Sequence, residues 1–157
     1  MAGSEEIPVP GVLGLDHTAD VGLAIRAHDL PELFRRAAMA TVWLLLERPP
    51  GNVDAQTGEA RRVNLVEEEL PGLLRSWLRT ILLWDETDGF VPIAPKVMLL
   101  PAPLCSSETG QAFGLRGEAT GVLDPGPRIR EIKGVTLHGL AVERQGEEWF
   151  ARVIFDV

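Results

Sequence analysis

Cysteine, tyrosine and lysine are almost missing from this chain, and each shortage closes off a class of chemistry. Cys105 is the only cysteine, so no intramolecular disulfide can form and no cysteine-based zinc site can be built. A single thiol fits a reducing compartment. Cys105 also sits in a Pro/Ser/Gly-containing stretch with no local base, so it reads as an inert thiol. Tyrosine is absent altogether, which removes phenolic catalysts and tyrosine stacking platforms. Lysine occurs only as Lys96 and Lys133, against 13 arginines, and that bias draws attention to Lys133. No apolar run approaches the roughly 20 residues of a membrane span. The longest, Val42 to Leu46, lies inside an amphipathic pattern. The first ten residues carry Glu5 and Glu6 and lack the basic, apolar layout of a signal peptide. A cytoplasmic location and no membrane contact are therefore expected.

Positive charge is scarce as well. The formal net charge is −8, which argues against broad nucleic-acid binding through clustered basic surface. RNA, if met at all, is met through a partner. Standard catalytic signatures are missing too: no GxxxxGK[ST] loop, no GxGxxG after a strand, no GxSxG elbow and no HExxH.

What is present fits one α+β domain. A chain of 157 residues buries roughly 68–70% of its unfolded surface, enough for a core without staples. Residues 1–11 read as a flexible lead-in. Gly22 to Ala27 reads as a short strand. Asp29 is a candidate N-cap, with Pro31 in the first turn and Glu32 in capping-box position. Leu30, Leu33, Phe34, Ala37, Ala38, Thr41, Val42 and Leu45 follow at helical spacing. Pro49 to Gly58 is a loop by composition, and Arg61 to Val66 reads as a strand. The acidic run Glu67 to Glu69 and then Pro71 open a second helix. Its stripe is Leu70, Leu73, Leu74, Trp77, Leu78, Ile81 and Leu82, and it stops at Asp85 to Gly89. Strands are predicted at Lys96 to Leu100, Ala112 to Gly121, Ile129 to Val135, Leu140 to Arg144 and Trp149 to Val157. Helices and strands in separate blocks exclude a doubly wound parallel sheet.

Three segments carry candidate chemistry. Asp16-His17-Thr18-Ala19-Asp20 packs two carboxylates and an imidazole into five residues just before a strand. Such a cluster is costly unless exposed, paired or metal-bound, and it reads either as a polar turn capping backbone groups or as part of a metal site. At the other end, Asp156 and Val157 close an otherwise apolar strand. If that strand is central, the Asp156 carboxylate and the α-carboxylate of Val157 are held close together at its end and would repel, and a hard cation would relieve them. The alternative is a solvated terminus. The third segment, Glu131 to Leu140, sets Lys133 and His138 among strand-like apolar residues, with Gly134 and Gly139 marking bends. An edge strand with a satisfied histidine is the plainer reading.

Together, DHTADVG at 16–22, EIKGVTLHGL at 131–140 and RVIFDV at 152–157 resemble the archease family. Weaker matches fill the middle, at Leu70 to Trp84, Arg116-Gly117-Glu118 and Leu123-Asp124-Pro125, so the similarity runs from about residue 12 onward. The resemblance implies a two-layer α+β fold, two helices on a mainly antiparallel sheet. Its single domain would span 12–157, with a core from about 12–58 and 129–157 and a middle insertion at about 59–128. It also implies a protein cofactor, not an enzyme, for an RtcB-type tRNA-splicing RNA ligase. That partner's guanylylation and repeated turnover would be the processes assisted. A divalent-metal site, usually described with calcium (Mg²⁺ or Mn²⁺ being alternatives), maps onto Asp20, Asp156 and Val157. Asp16, His17, Lys133 and His138 would surround it or contact the partner. Self-association stays open. Leu137 and Gly134 depart from the family's aromatic and alanine at those positions, and Pro101 to Gly110 is longer than usual. A metal-dependent hydrolase built on Asp20 and His17, or a general chaperone or binding module, are the other readings.

Overall fold

The computed structural model describes residues 4–16, 20–50, 59–101 and 112–157. The expected helices and most of the expected strands are present, and the strands divide into two sheets around the helices. Strands β1 (Ser4–Glu6), β2 (Val12–Asp16) and β3 (Asp20–Ala27) come first. Helix α1 (Leu30–Leu46), strand β4 (Glu59–Glu67) and helix α2 (Leu70–Asp88) follow. Next are β5 (Phe90–Pro101), β6 (Phe113–Leu123), β7 (Gly134–Val135), β8 (Ala141–Gln145) and β9 (Glu148–Asp156). One antiparallel sheet has the order β1-β2-β3-β9-β7, with β8 also on β9, and the other has the order β4-β6-β5. The chain from 59 to 123 thus supplies α2 and the whole second sheet. Both helices touch both sheets: α1 packs on β3 and β9 and on β5, while α2 packs on β4, β5 and β6 and on β7 and β8.

Local chemistry explains the helix ends. The Asp29 carboxylate accepts from the Glu32 backbone N–H at 2.8 Å, capping α1. Its last turn closes through Glu47 in the left-handed region. Gly89 takes the same conformation after α2, where a glycine carries no Cβ penalty. The apolar stripes then meet in one continuous core running from Leu23, Ile25 and Phe155 through Phe34 and Trp77 to Val91 and Leu115. Trp77 is fully buried, and its indole N–H donates to the Phe34 carbonyl at 3.0 Å, joining the two helices.

Three expectations need correction. The lead-in predicted for residues 1–11 is ordered over the part described: β1 pairs with β2, and Ile7 and Val9 are 4% and 6% exposed. Those two side chains insert into the core, which overrides the Pro/Gly/Glu-containing composition. The strand predicted over Ile129 to Val135 is reduced to Gly134–Val135. Its first half instead bonds to helix ends. Arg128 pairs with Asp85, the Ile129 N–H reaches the Leu45 carbonyl at 2.8 Å, and Arg130 reaches the Leu44 carbonyl at 2.6 Å. Strand β5 exceeds its prediction despite Pro92 and Pro95, because it is an edge strand and its register shifts between Pro92 and Ala94. The Pro101–Gly110 stretch and Cys105 lie almost wholly outside the described residues.

Candidate metal centre at the convergence of the two chain ends

The site follows from one register. Along β3, Val21, Leu23, Ile25 and Ala27 alternate; along β9, Trp149, Ala151, Val153 and Phe155 do. These two sets pair with each other, Val21 with Phe155 and Leu23 with Val153, on the face turned to the helices. A one-residue slip of either strand would turn its apolar set to the outside, so burial fixes the alignment. Asp20 and Asp156 are out of phase with those sets and fall on the opposite face. They are also directly paired, the first residue of β3 facing the last residue of β9. Facing residues of an antiparallel pair have Cβ atoms about 4.5–5.5 Å apart. Asp20 is half-buried and Asp156 exposed. Carboxylates about 4 Å apart repel by about 1 kcal/mol in water, and more where solvent is thinned, and those of Asp20 and Asp156 extend from such facing positions.

The end of β9 is held from its other side as well. Gly134 faces Asp156, and the Lys133 N–H donates to the Asp156 carbonyl at 2.7 Å. The Thr136 N–H donates to the Ile154 carbonyl at 2.9 Å. From α2, Arg75 donates to the Val135 carbonyl at 2.8 Å and fixes β7 against the helix layer. A Cβ built on Gly134 would meet nothing within 4 Å, so the sheet is open beside Asp156. Val157 follows directly and is half-buried.

The candidate residues are thus partly gathered. Asp20 and Asp156 face each other, Val157 follows Asp156 along the chain, and Lys133 joins Asp156 through its backbone. The Lys133 side chain is exposed and lines a cleft of about 340 Å³ with Arg79, Leu83 and Glu86 of α2. His138 lies apart, exposed on the turn between β7 and β8 beside Leu137, which is 71% exposed. The backbone of Asp16 ends β2 opposite Val21, and His17 lies outside the described residues. Among the described residues no group of three His, Cys, Asp or Glu side chains converges. The two side chains in facing register positions are carboxylates, hard oxygen donors whose chemistry fits calcium, magnesium or manganese. Sequence reading missed the hairpin of β2 with β3. Alternation over Val12, Gly14 and Asp16 is its only signal, and two glycines blur it.

Known proteins resemble this one over nearly its full length. The model of the Archease protein family (MTH1598/TM1083) matches residues 14–157. The archease of Methanosarcina acetivorans is 30% identical over 146 residues, covering 91% of this chain and 93% of that one. That of Methanothermobacter thermautotrophicus is 29% identical over 144 residues, covering 90% and 95%. The solution structure of Methanobacterium thermoautotrophicum protein 1598 superposes with a TM-score of 0.68 at 28% identity, covering 94% of this chain and 99% of that one. The crystal structure of an archease, possible chaperone, from Thermotoga maritima shares the fold with a TM-score of 0.55 at 22% identity, covering 90% and 94%. Among the described residues no helix is long and apolar enough to cross a membrane.

Proposed function

Because the chain belongs to the archease family, we propose that it is an accessory protein to an RtcB-type RNA ligase, acting through a divalent cation held by Asp20, Asp156 and Val157. The observation that carries this reading is the direct cross-strand pairing of Asp20 with Asp156. Like charges in facing positions destabilise a sheet, so a sequence that places them there gains stability when a cation lies between them. Calcium suits oxygen-only ligation best, since it tolerates irregular coordination. Once bound, it supplies positive charge at an acidic tip.

This chain's own residues set the rest. The β3–β9 register presents the two carboxylates on the outer face, and the Lys133–Asp156 backbone bond prevents fraying of the strand end. The open side next to Gly134 lets a partner's active-site region approach. The expected effect on the partner is faster guanylylation and sustained turnover, with RNA touched only by the ligase.

The test compares the ligase alone, with this protein, and with its Asp20→Asn and Asp156→Asn variants. Wild-type protein is expected to raise both the guanylylated fraction and the number of turnovers, and both variants to lose that effect while remaining folded. Unchanged ligase behaviour with the wild-type protein would overturn the assignment.

A further inference from the structure

The outer face of the sheet that carries the acid pair also holds a guanidinium left without an acceptor. On β9, Arg152, Ile154 and Asp156 alternate with the helix-facing set and share the side of Asp20. Arg152 faces Ala24 of β3 on one side and Ala141 of β8 on the other, so small side chains flank it. The turn after β7 folds over this part of the sheet. The Thr136 N–H bonds the Ile154 carbonyl at 2.9 Å, and the Leu140 N–H reaches the Leu137 carbonyl at 3.4 Å. Ile154 is only 2% exposed, although it lies on the side away from the helices. Gly139 completes the turn at a φ of +65°, and a Cβ built there would stand 3.2 Å from Ile154 Cδ1, 3.6 Å from Arg152 Nε and 3.7 Å from Arg152 Cζ. Glycine therefore suits this position twice, for its backbone angle and for the room it leaves the guanidinium.

Arg152 Nε is buried and has no hydrogen-bond partner. Among the described residues Arg152 makes no ion pair either. A buried donor with no acceptor costs stability, and native proteins keep few of them. The other charges on this face do not answer it. Glu143, diagonal to Arg152 on β8, accepts from Gln145 at 2.9 Å. Arg26 donates to Gln145 at 2.9 Å and lies over the Phe150 ring. Glu6 shares the row of Arg152 but is three strands away on β1, about 14 Å. Glu148 is four residues back along β9, about 13 Å. Asp156 is four residues on, at the same distance, and Ile154, beside which the guanidinium packs, stands between them.

The acid pair repels an anion until a cation sits on it. With that cation in place, the same face presents two positive points, one at the strand end and one at Arg152. An arginine fork matches phosphate oxygens, and a divalent ion held by one or two carboxylates commonly completes its shell with phosphate oxygens of a ligand. A chain of linked phosphates offers an anionic group to each point, whereas a lone carboxylate or orthophosphate offers one group in all. We infer that Arg152 and the cation-bearing Asp20–Asp156 pair together bind a linked phosphate chain, that of a nucleoside triphosphate or of inorganic polyphosphate, with the 136–140 turn as one wall. The Arg152 Nε–H gains its acceptor as the side chain lifts from under the turn onto the chain, so binding relieves a cost built into the unliganded fold. The inference rests on the cation site of the accessory reading and adds the class of ligand which that site takes.

The test is calorimetric titration of the purified protein, without the ligase, using inorganic triphosphate as the probe in magnesium or in chelator. Circular dichroism confirms that each variant is folded. Wild-type protein is expected to bind triphosphate in magnesium, and orthophosphate at least about tenfold more weakly. Arg152→Gln should bind triphosphate about tenfold or more weakly, the loss of a charge-assisted hydrogen bond. Arg152→Lys should recover part of that loss, keeping the charge but not the fork. Asp20→Asn should bind no better in magnesium than in chelator. GTP or ATP binding more tightly than inorganic triphosphate identifies a nucleotide as the source, and equal binding identifies the chain alone. No triphosphate binding by the wild-type protein, or wild-type affinity in Arg152→Gln, would overturn the inference. So would equal affinity for orthophosphate, or binding as tight in chelator as in magnesium. Ligase assays separate the two readings. Activation that depends on Asp20, in a protein that binds no triphosphate, sinks this site and leaves the accessory reading standing. Triphosphate binding through Arg152 and Asp20, with no effect on the ligase, does the reverse.

Discussion

Asp20 and Asp156 show how a single residue's phase along a strand can decide its chemistry. One position away, either would lie on the helix-facing side and break the core. Facing each other across β3 and β9, they carry a repulsion that a cation or a neutral substitution removes. Asp20→Asn is therefore expected to raise the melting temperature of the metal-free protein slightly. It should also abolish the rise that calcium gives the wild-type protein, both read by thermal denaturation with chelator or with calcium. A calcium-induced rise that survives in Asp20→Asn would place the cation somewhere else. The acid-rich DHTAD segment and the FDV ending were legible in the sequence as candidates. Their meeting was implied only by the family resemblance, because spacing along a chain says nothing about which strand ends pair.

At the scale of elements, α1 shows local signals that suffice alone. Asp29, Pro31 and Glu32 predict its start, and the cap forms as expected, with the Asp29 carboxylate on the Glu32 N–H. Glu32 also binds Arg35 and Arg36 one turn on, at 2.6 and 3.0 Å. The Arg35 hydrogen bond is the main reason its carboxyl is held down to about 2 from an ordinary 4.5. A carboxylate depressed in this way stabilises the fold above its ordinary range, and the contribution disappears as pH falls from about 4.5 toward 2. Glu32→Gln is thus expected to cost up to about 1 kcal/mol at pH 7, a partly exposed pair being screened by solvent. Chemical denaturation at pH 7 and again near pH 2 would show the difference shrinking. A cost independent of pH would mean that packing, not charge, is lost. By contrast, 129–133 looked like a strand by composition, and bonds from Arg128, Arg130 and the Ile129 backbone to the helix ends hold it there instead. Tertiary partners outweighed a weak local preference.

For the whole molecule, the decisive feature is that both helices are shared between two sheets. Trp77 lies at this junction, fully buried, with its indole on the Phe34 carbonyl and its ring against the backbone of Gly117. A Cβ on Gly117 would stand 2.6 Å from that ring. Gly117→Ala must therefore shift Trp77 or the strand, and overpacking of this kind costs about 1–3 kcal/mol. Because the core is continuous from Phe155 to Leu115, the loss should appear as one shifted transition, coincident in tryptophan fluorescence and far-ultraviolet circular dichroism. Two separated transitions, with only the β4–β6–β5 part moving, would show that the sheets fold independently.

The sequence alone determined both helices with their ends, most strand positions, and the residue types from which a hard-cation site could be made. These rest on periodicity, caps and turns, which act over a few residues and leave their mark in the local order of side chains. Only the tertiary structure decided that the strands split into two sheets, that residues 4–9 belong to the fold, and that residue 20 faces residue 156. Those outcomes depend on which distant apolar faces bury one another, and burial between distant segments has no local signature for a single chain to display.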